Sequence, residues 1–296
     1  MGVLWAAVVL GLAQAAPASP PVSTPADEVP TRTVTFWAAG EKGEVVEGLT
    51  TDEVVVMEDG AARVVTKVVR DERPLTVAIV VDSSAPLATV YRLNVVDPVA
   101  EFVRQLPPGA RYSLWTTGDR PRKAVDFTDD RTRAAAALRK TFPTGGNTLL
   151  DALGEASEEL EKREADRTVL VAITGVGIGF TSHSRQSVVD MVRKTGVQVM
   201  AVQYEERGTE DFQAAGADQV TRADYDYVLG NLTAGGVFEH PVSAMGLGTS
   251  LRKVAAALSG YRATYALDDA GRKAGKLEVQ IARPGVKARV VGGLSR

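Results

Sequence analysis

Asp82-Ser83-Ser84-Ala85-Pro86 places a carboxylate and two hydroxyls directly after the apolar run Leu75–Val81. Oxygen donors of that kind suit a hard divalent cation such as Mg²⁺ or Ca²⁺. A second group, Thr181-Ser182-His183-Ser184, sets a hydroxyl beside an imidazole, the types a hydrolase uses as nucleophile and base. It lacks the G-x-S-x-G elbow that would present such a serine, so it reads first as a solvated or capping loop. Gly175-Val176-Gly177-Ile178-Gly179 follows a strand but is G-x-G-x-G, not the G-x-G-x-x-G of a dinucleotide site, and is read as tight turns. Asp224, Tyr225, Asp226 and Tyr227 could form a polar aromatic patch, with core or rim packing the plainer reading. The acidic run Glu155–Glu164 carries Leu160 at helical spacing from Leu153 and reads as a solvated helix face.

The elements that must hold these groups follow from the hydrophobic pattern. Leu75–Val81, Thr168–Ile173 and Val197–Val202 are nearly continuous apolar runs, as strands buried on both faces of a parallel sheet must be. Arg111–Thr117 and Ala124–Phe127 add two strands. Val99, Phe102, Val103 and Leu106 stand at i, i+3, i+4 and i+7, with Asp97-Pro98 as N-cap and first helical residue. Asp130–Lys140, Leu149–Lys162, Ser187–Lys194 and Ser250–Leu258 are further helices. Strands alternating with helices predict an α/β fold with a doubly wound, mostly parallel sheet. Ligands of such a sheet sit beyond the carboxyl ends of its strands at the switch point, where Asp82 falls.

On either side the grammar is antiparallel. Arg32–Ala38, Val54–Met57 and Val64–Val69 precede the core, separated by turns such as Glu58-Asp59-Gly60; Tyr261–Leu267, Leu277–Ala282 and Val286–Val291 follow it. Neither set alone buries a core comfortably, so the two are expected to pair into one small β-module. The expected organisation is a signal peptide over 1–18, a Pro-rich linker over 19–31, β-module strands over 32–73, an α/β domain over 74–259 and closing strands over 260–296.

The signal peptide is read from Val3–Ala13, an apolar run too short for the roughly 20 residues of a membrane span. It is followed by Ala13-Gln14-Ala15 and Ala16-Pro17-Ala18 as alternative cleavage sites, although no Lys or Arg precedes it. The chain is expected in the periplasm or outside the cell, with no transmembrane segment after cleavage. The 296 residues are 45% hydrophobic and 24% charged, an ordinary globular composition. A net charge of −3 with interspersed signs speaks against a nucleic-acid partner. The absence of cysteine removes thiolate metal sites, disulfides, thiol nucleophiles and a lipidated N-terminal Cys, and His183 and His240 belong to no spaced ligand motif.

Asp82-Ser83-Ser84, Gly145-Gly146-Asn147-Thr148 with Leu149–Leu153, and Val169–Thr174, in that order and spacing, resemble the von Willebrand factor type A family. Gly48-Leu49-Thr50-Thr51-Asp52 with Glu58-Asp59-Gly60, together with Tyr261–Tyr265 and Ala282–Val286, are similar to the flanks of bacterial VWFA-related proteins described first in Acidobacteria. The likeness runs from about Val34 to Gly293. It implies a non-enzymatic module that binds a protein or cell-envelope partner through loops at the C-terminal edge of its sheet. The family's metal-ion-dependent adhesion site is D-x-S-x-S, plus a Thr and a distal Asp. On that pattern Asp82 and Ser84 match, Pro86 replaces the second Ser, Asn147 stands at the Thr position with Thr148 next to it, and Gly175 replaces the distal Asp. Asp82, Ser84, Asn147 and Thr148 are thus the residual metal-site candidates. With one carboxylate left of two, no resident cofactor is expected, the alternative being weakly bound Mg²⁺ or Ca²⁺. Without a metal, Asp82 and Ser84 would cap the following helix and tie down the loop. The alternative function is a hydrolase using Ser182 and His183 or a residual metal water.

Overall fold

The computed structural model describes residues 29–41, 43–163, 165–175, 177, 179–205, 219–233, 236–268 and 275–291. The expected signal peptide and nearly all of the Pro-rich linker lie outside these residues. The chain begins with β1 (Thr31–Ala39), β2 (Val54–Glu58), β3 (Ala61–Arg63) and β4 (Val65–Arg70). Next come β5 (Leu75–Val81), a π-helical stretch over Tyr91–Val96 that runs into α1 (Asp97–Arg104), β6 (Arg111–Thr116) and β7 (Arg122–Thr128). They are followed by α2 (Thr132–Lys140), α3 (Leu149–Glu161), β8 (Arg167–Gly175), β9 (Gly179–Phe180) and α4 (Arg185–Lys194). The rest is β10 (Gln198–Tyr204), β11 (Gln219–Val220), α5 (Arg222–Leu232), β12 (Phe238–Glu239), α6 (Leu247–Leu258), β13 (Tyr261–Ala266), β14 (Leu277–Ile281) and β15 (Lys287–Val290).

The central sheet runs β12-β10-β8-β5-β6-β7, parallel except for β7, which returns antiparallel to β6. This is the α/β architecture with a mostly parallel sheet that the apolar runs predict. All seven residues of β5 are buried, because helices cover both faces. Val77, Ile79 and Val81 join a core with α1, α2 and α6, while Ala78 and Val80 join a second core with α3, α4 and α5. The chain leaves β5 toward β6 on one side and later lays β8 on the other. The switch point therefore lies at the carboxyl ends of β5 and β8, where Asp82 follows one strand and Thr174-Gly175 end the other.

Three local expectations are corrected. Asp97 is not an N-cap: the π-helical stretch Tyr91–Val96 already supplies the preceding turn, so Asp97 and Pro98 are helical residues inside a longer run. Helix α6 starts at Leu247, a turn before Ser250, with Leu247 and Leu251 both in the core. Helix α5 is absent from the expected set, although Tyr225, Val228, Leu229 and Leu232 stand at i, i+3, i+4 and i+7. Its start is fixed by a capping box in which Thr221 and Asp224 exchange hydrogen bonds.

The flanking strands form two antiparallel sheets, ordered β15-β1-β13-β4 and β14-β2-β3, each joining N-terminal to C-terminal strands. Their inner residues share one core, in which Phe36 stacks on Tyr261 with centroids 5.7 Å apart. Arg167, at the foot of β8, ties this part to the α/β core, donating to the Asp71 and Leu258 carbonyls, both at 2.9 Å. Among the described residues, no helix is long and apolar enough to cross a membrane.

Candidate functional site

At the carboxyl end of β5 the parallel ladder continues for one more bond, from the Asp82 amide to the Ile173 carbonyl at 2.8 Å. That bond turns the Asp82 side chain into the crevice between β5 and β8, where the residue is 1% exposed. The loop before α3 is drawn in beside it. Thr148 donates its amide to the Thr117 carbonyl, Asp119 donates to Gly146, and Phe180 donates to Asn147, so Asn147 lies laced between the loops after β6 and β8. Two glycines make this approach possible. Gly145 has a φ of +56°, and the Asp119 carboxylate occupies the place its Cβ would take. A Cβ on Gly118 would stand 2.5 Å from the Ser83 carbonyl oxygen and 2.8 Å from that of Thr144.

Inside this knot, donors surround the Asp82 carboxylate. Its Oδ1 accepts the Ser84 amide at 2.9 Å, and its Oδ2 accepts the Gly175 amide at 3.1 Å and the Asn147 Nδ2 at 2.8 Å. The Thr174 hydroxyl accepts a second bond from Asn147 Nδ2 at 2.9 Å and lies 3.2 Å from Asp82 Oδ2. The orientation of the Asn147 amide is decided by its other end. Asn147 Oδ1 accepts from the Leu149 amide at 3.0 Å and from the Thr117 hydroxyl at 2.6 Å. A backbone N–H can only donate, so the oxygen must face Leu149 and the NH₂ must face Asp82. Burial pushes the Asp82 carboxyl above the usual carboxylate range, against hydrogen bonds from Ser84, Gly175 and Thr174 that pull it down.

The four metal-site candidates thus divide. Asp82 and Asn147 are brought together, but through an N–H donor. Ser84 lies next to the pair and does not cap: its side chain makes no hydrogen bond to the helical turn Ala85–Leu87, which corrects the capping expectation for this residue, while the Asp82 carboxylate does tie the loop down through the Ser84 amide. Thr148 turns away and donates its hydroxyl to the Thr117 carbonyl at 2.8 Å. A divalent cation needs oxygen lone pairs aimed at one point. Here an NH₂ group holds the place beside the carboxylate, and the residues as arranged do not fit such an ion. Gly175 leaves no ready room for a missing acid, since a Cβ there would stand 2.9 Å from the buried Leu87 side chain.

The hydroxyl-imidazole pair is not assembled either. Ser182 donates its hydroxyl to Asp151 Oδ1 at 3.4 Å, and Thr181 donates to the same oxygen at 2.7 Å. Among the described residues, His183 contributes only its backbone amide, to Thr181 Oγ1 at 3.1 Å. A nucleophile needs its base within hydrogen-bond reach, and Ser182 faces a carboxylate on α3 instead. The Tyr225 group is packing: Tyr225 is fully buried, Tyr227 donates to Gln186 at 2.6 Å, and Asp226 accepts from Gln203 at 2.8 Å. Thr117 and Thr174, which complete the Asn147 contacts, were not among the candidate residues. Their places at the ends of β6 and β8 were the available signal.

Residues 77–178 match the family model described as the von Willebrand factor type A domain. A search of the curated proteins found no match. Among solved structures, proximal thread matrix protein 1 from the mussel byssus, with a zinc-occupied MIDAS motif, is 18% identical, with 66% of this chain and 48% of that chain covered and a TM-score of 0.51. A second structure of the mussel protein is 17% identical, with 75% and 50% covered and a TM-score of 0.50. The chain spans about half the length of these mussel structures. A von Willebrand factor type A structure from Catenulispora acidiphila is 11% identical, with 90% and 73% covered and a TM-score of 0.48. The α/β part of this chain is thus matched, over residues 77–178, by the von Willebrand factor type A domain family, a module that usually mediates protein–protein interaction.

Proposed function

We propose that this chain is an exported, non-enzymatic binding module of the bacterial VWFA-related kind, engaging a protein or cell-envelope partner through the loops at the C-terminal edge of its central sheet without a metal ion. The observation that carries the reading is the Asn147 NH₂ group 2.8 Å from Asp82 Oδ2. It supplies from within the protein the positive partial charge that a cation would bring in the family's adhesion site. The site is a degenerate one on this reading, with Pro86 and Gly175 in place of two ligands. The mussel protein, whose MIDAS motif holds zinc, represents the other state of the same fold. Export rests on Val3–Ala13 and the small residues after it. Among the described residues, no contact of Ser182 or His183 favours the hydrolase alternative.

Calorimetric titration with Mg²⁺, Ca²⁺ and Mn²⁺, with Asp82→Ala as the comparison, tests the metal-free reading. Wild type is expected to give no binding heat. Micromolar binding abolished in Asp82→Ala would overturn it, and turnover of chromogenic esters lost in Ser182→Ala would revive the hydrolase.

A further inference from the structure

We infer that a cavity beside the Asp82 loops, between the β6–β7 turn and the segment after α2, receives an acidic peptide segment of the partner protein. This inference rests on the reading of the chain as a binding module and names the chemistry of what it binds. The cavity holds about 750 Å³, and its floor includes the buried Thr116 and Ser83, whose hydroxyl accepts the Gly118 amide at 2.9 Å. Four cations line it, Arg120, Arg122, Lys123 and Lys140, against one carboxylate, Asp119. That local excess of positive charge stands in a chain whose net charge is −3.

The cations differ in what they already hold. Lys123 is committed to Glu159 at 2.7 Å and Asp126 at 3.2 Å. Cations just outside the cavity are also paired, Arg139 with Asp97 and Arg163 with Glu159. Arg120, Arg122 and Lys140 make no ion pair among the described residues. The Asp119 carboxylate makes no ion pair with them among the described residues, and the left-handed turn at φ +60° lays it over Gly145. On the wall, Phe142 is 72% exposed, with the Arg92 guanidinium 5.7 Å from its ring centre.

Two free guanidiniums, an ammonium and an exposed aromatic ring in one concave site match carboxylates carried next to an apolar side chain. Guanidinium forks bind carboxylates bidentately, and an aromatic in a pocket supplies the apolar anchor of an interface. A nucleic acid would need a basic stripe along an extended face, with the salt-dependent phosphate contacts that come with it. The positive charge here is confined to one short cavity, which fits a few residues of peptide.

The test uses the full chain and a fluorescein-labelled, amidated peptide Asp-Glu-Leu-Glu-Asp, with Asn-Gln-Leu-Gln-Asn and a sulfated heparin hexasaccharide as comparison probes. Anisotropy is read at 50 mM salt, and amide hydrogen exchange maps the contact. Wild type is expected to bind the acidic peptide and not the neutral one, with protection over residues 118–123 and 140–144. The double variant R120E/R122E is expected to weaken binding at least tenfold, and F142S several-fold. These side chains are exposed, so thermal melts of the variants should overlay wild type. Absence of peptide binding, equal binding by R120E/R122E, or binding of the hexasaccharide alone would overturn the inference. Peptide protection appearing instead at the amides of Ala85 and Leu87 and over Phe180–Ser182 would also overturn it, while leaving the chain a binding module through a different loop.

Discussion

Asn147→Ala tests whether the carboxamide is what satisfies the buried carboxylate. The substitution removes two donated bonds, to Asp82 Oδ2 and Thr174 Oγ1, and two accepted bonds, from Thr117 Oγ1 and the Leu149 amide. A bond to a charged acceptor contributes about 1.5–3 kcal/mol, and a buried donor left without a partner costs about 1 kcal/mol or more. Asp82 keeps the Ser84 and Gly175 amides, so its charge is not fully orphaned. The expected loss is about 3–5 kcal/mol, a large part of the roughly 5–15 kcal/mol available to a domain. Urea unfolding followed by circular dichroism reads it directly. Asn147→Asp sharpens the test, because it keeps the shape and sets a second carboxylate where the NH₂ now lies, 2.8 Å from Asp82. Two carboxylates so close cannot both ionise, and the folded pair holds a proton to higher pH than unfolded aspartates do. The folded state then binds more protons above about pH 4, so the variant's stability falls as pH rises. At pH 7 it should be less stable than Asn147→Ala and should recover toward pH 4. Mg²⁺ or Ca²⁺ should raise the melting temperature of Asn147→Asp and leave wild type unchanged. An Asn147→Ala cost below about 1 kcal/mol, or an Asp variant with the pH profile of wild type, would refute the reasoning.

Glu53 is held at a pKa of about 2, chiefly by the Arg283 guanidinium, which donates to both carboxylate oxygens at 2.8 Å. A depressed carboxyl stabilises the fold above its unfolded pKa near 4.5 and loses that contribution as pH falls to about 2. Glu53→Gln should therefore melt earlier than wild type at pH 6, and the two curves should converge toward pH 2. Gly145→Ala must place a Cβ at φ +56° where the Asp119 carboxylate sits, at a cost of about 1–2 kcal/mol for the backbone alone. Chemical denaturation should show at least that loss, and Asp119→Ala in the same chain should return only the steric part.

Much of the fold is legible because burial on both faces leaves a distinct trace. The run of six apolar residues and Thr76 in β5, and the similar runs of β8 and β10, announce a covered parallel sheet, and a carboxylate directly after the first of them marks the carboxyl end at its switch point. Helix boundaries are less legible where a neighbour changes the rule. Asp97-Pro98 has the residue types of a helix start, yet the π-helical stretch before it buries Tyr91, Val95 and Val96 in the same core and carries the helix backward. Tyr225 and Tyr227 illustrate the converse, since their polar atoms suggest a surface patch while the spacing of Tyr225 with Val228 and Leu229 belongs to a buried helix face.

The site marks a limit of a different kind. An asparagine carries a lone-pair oxygen and an N–H donor on the same carbon, so its type leaves open whether it ligates a cation or replaces one. The choice is made by Leu149 and Thr117, whose donors claim the oxygen once α3 starts where it does. Charge behaves the same way. Along the chain Arg120, Arg122, Lys123 and Lys140 look alike, scattered among acids that could neutralise each of them. Folding brings Glu159 to Lys123 and turns Asp119 onto Gly145, and only then do the three uncommitted cations face one cavity. Function in such a module is a property of which groups remain unpaired after the core has taken what it needs. On the proposed reading, Asp82, buried and supplied with donors, holds the loops in place, while the cations left for contact lie one loop away.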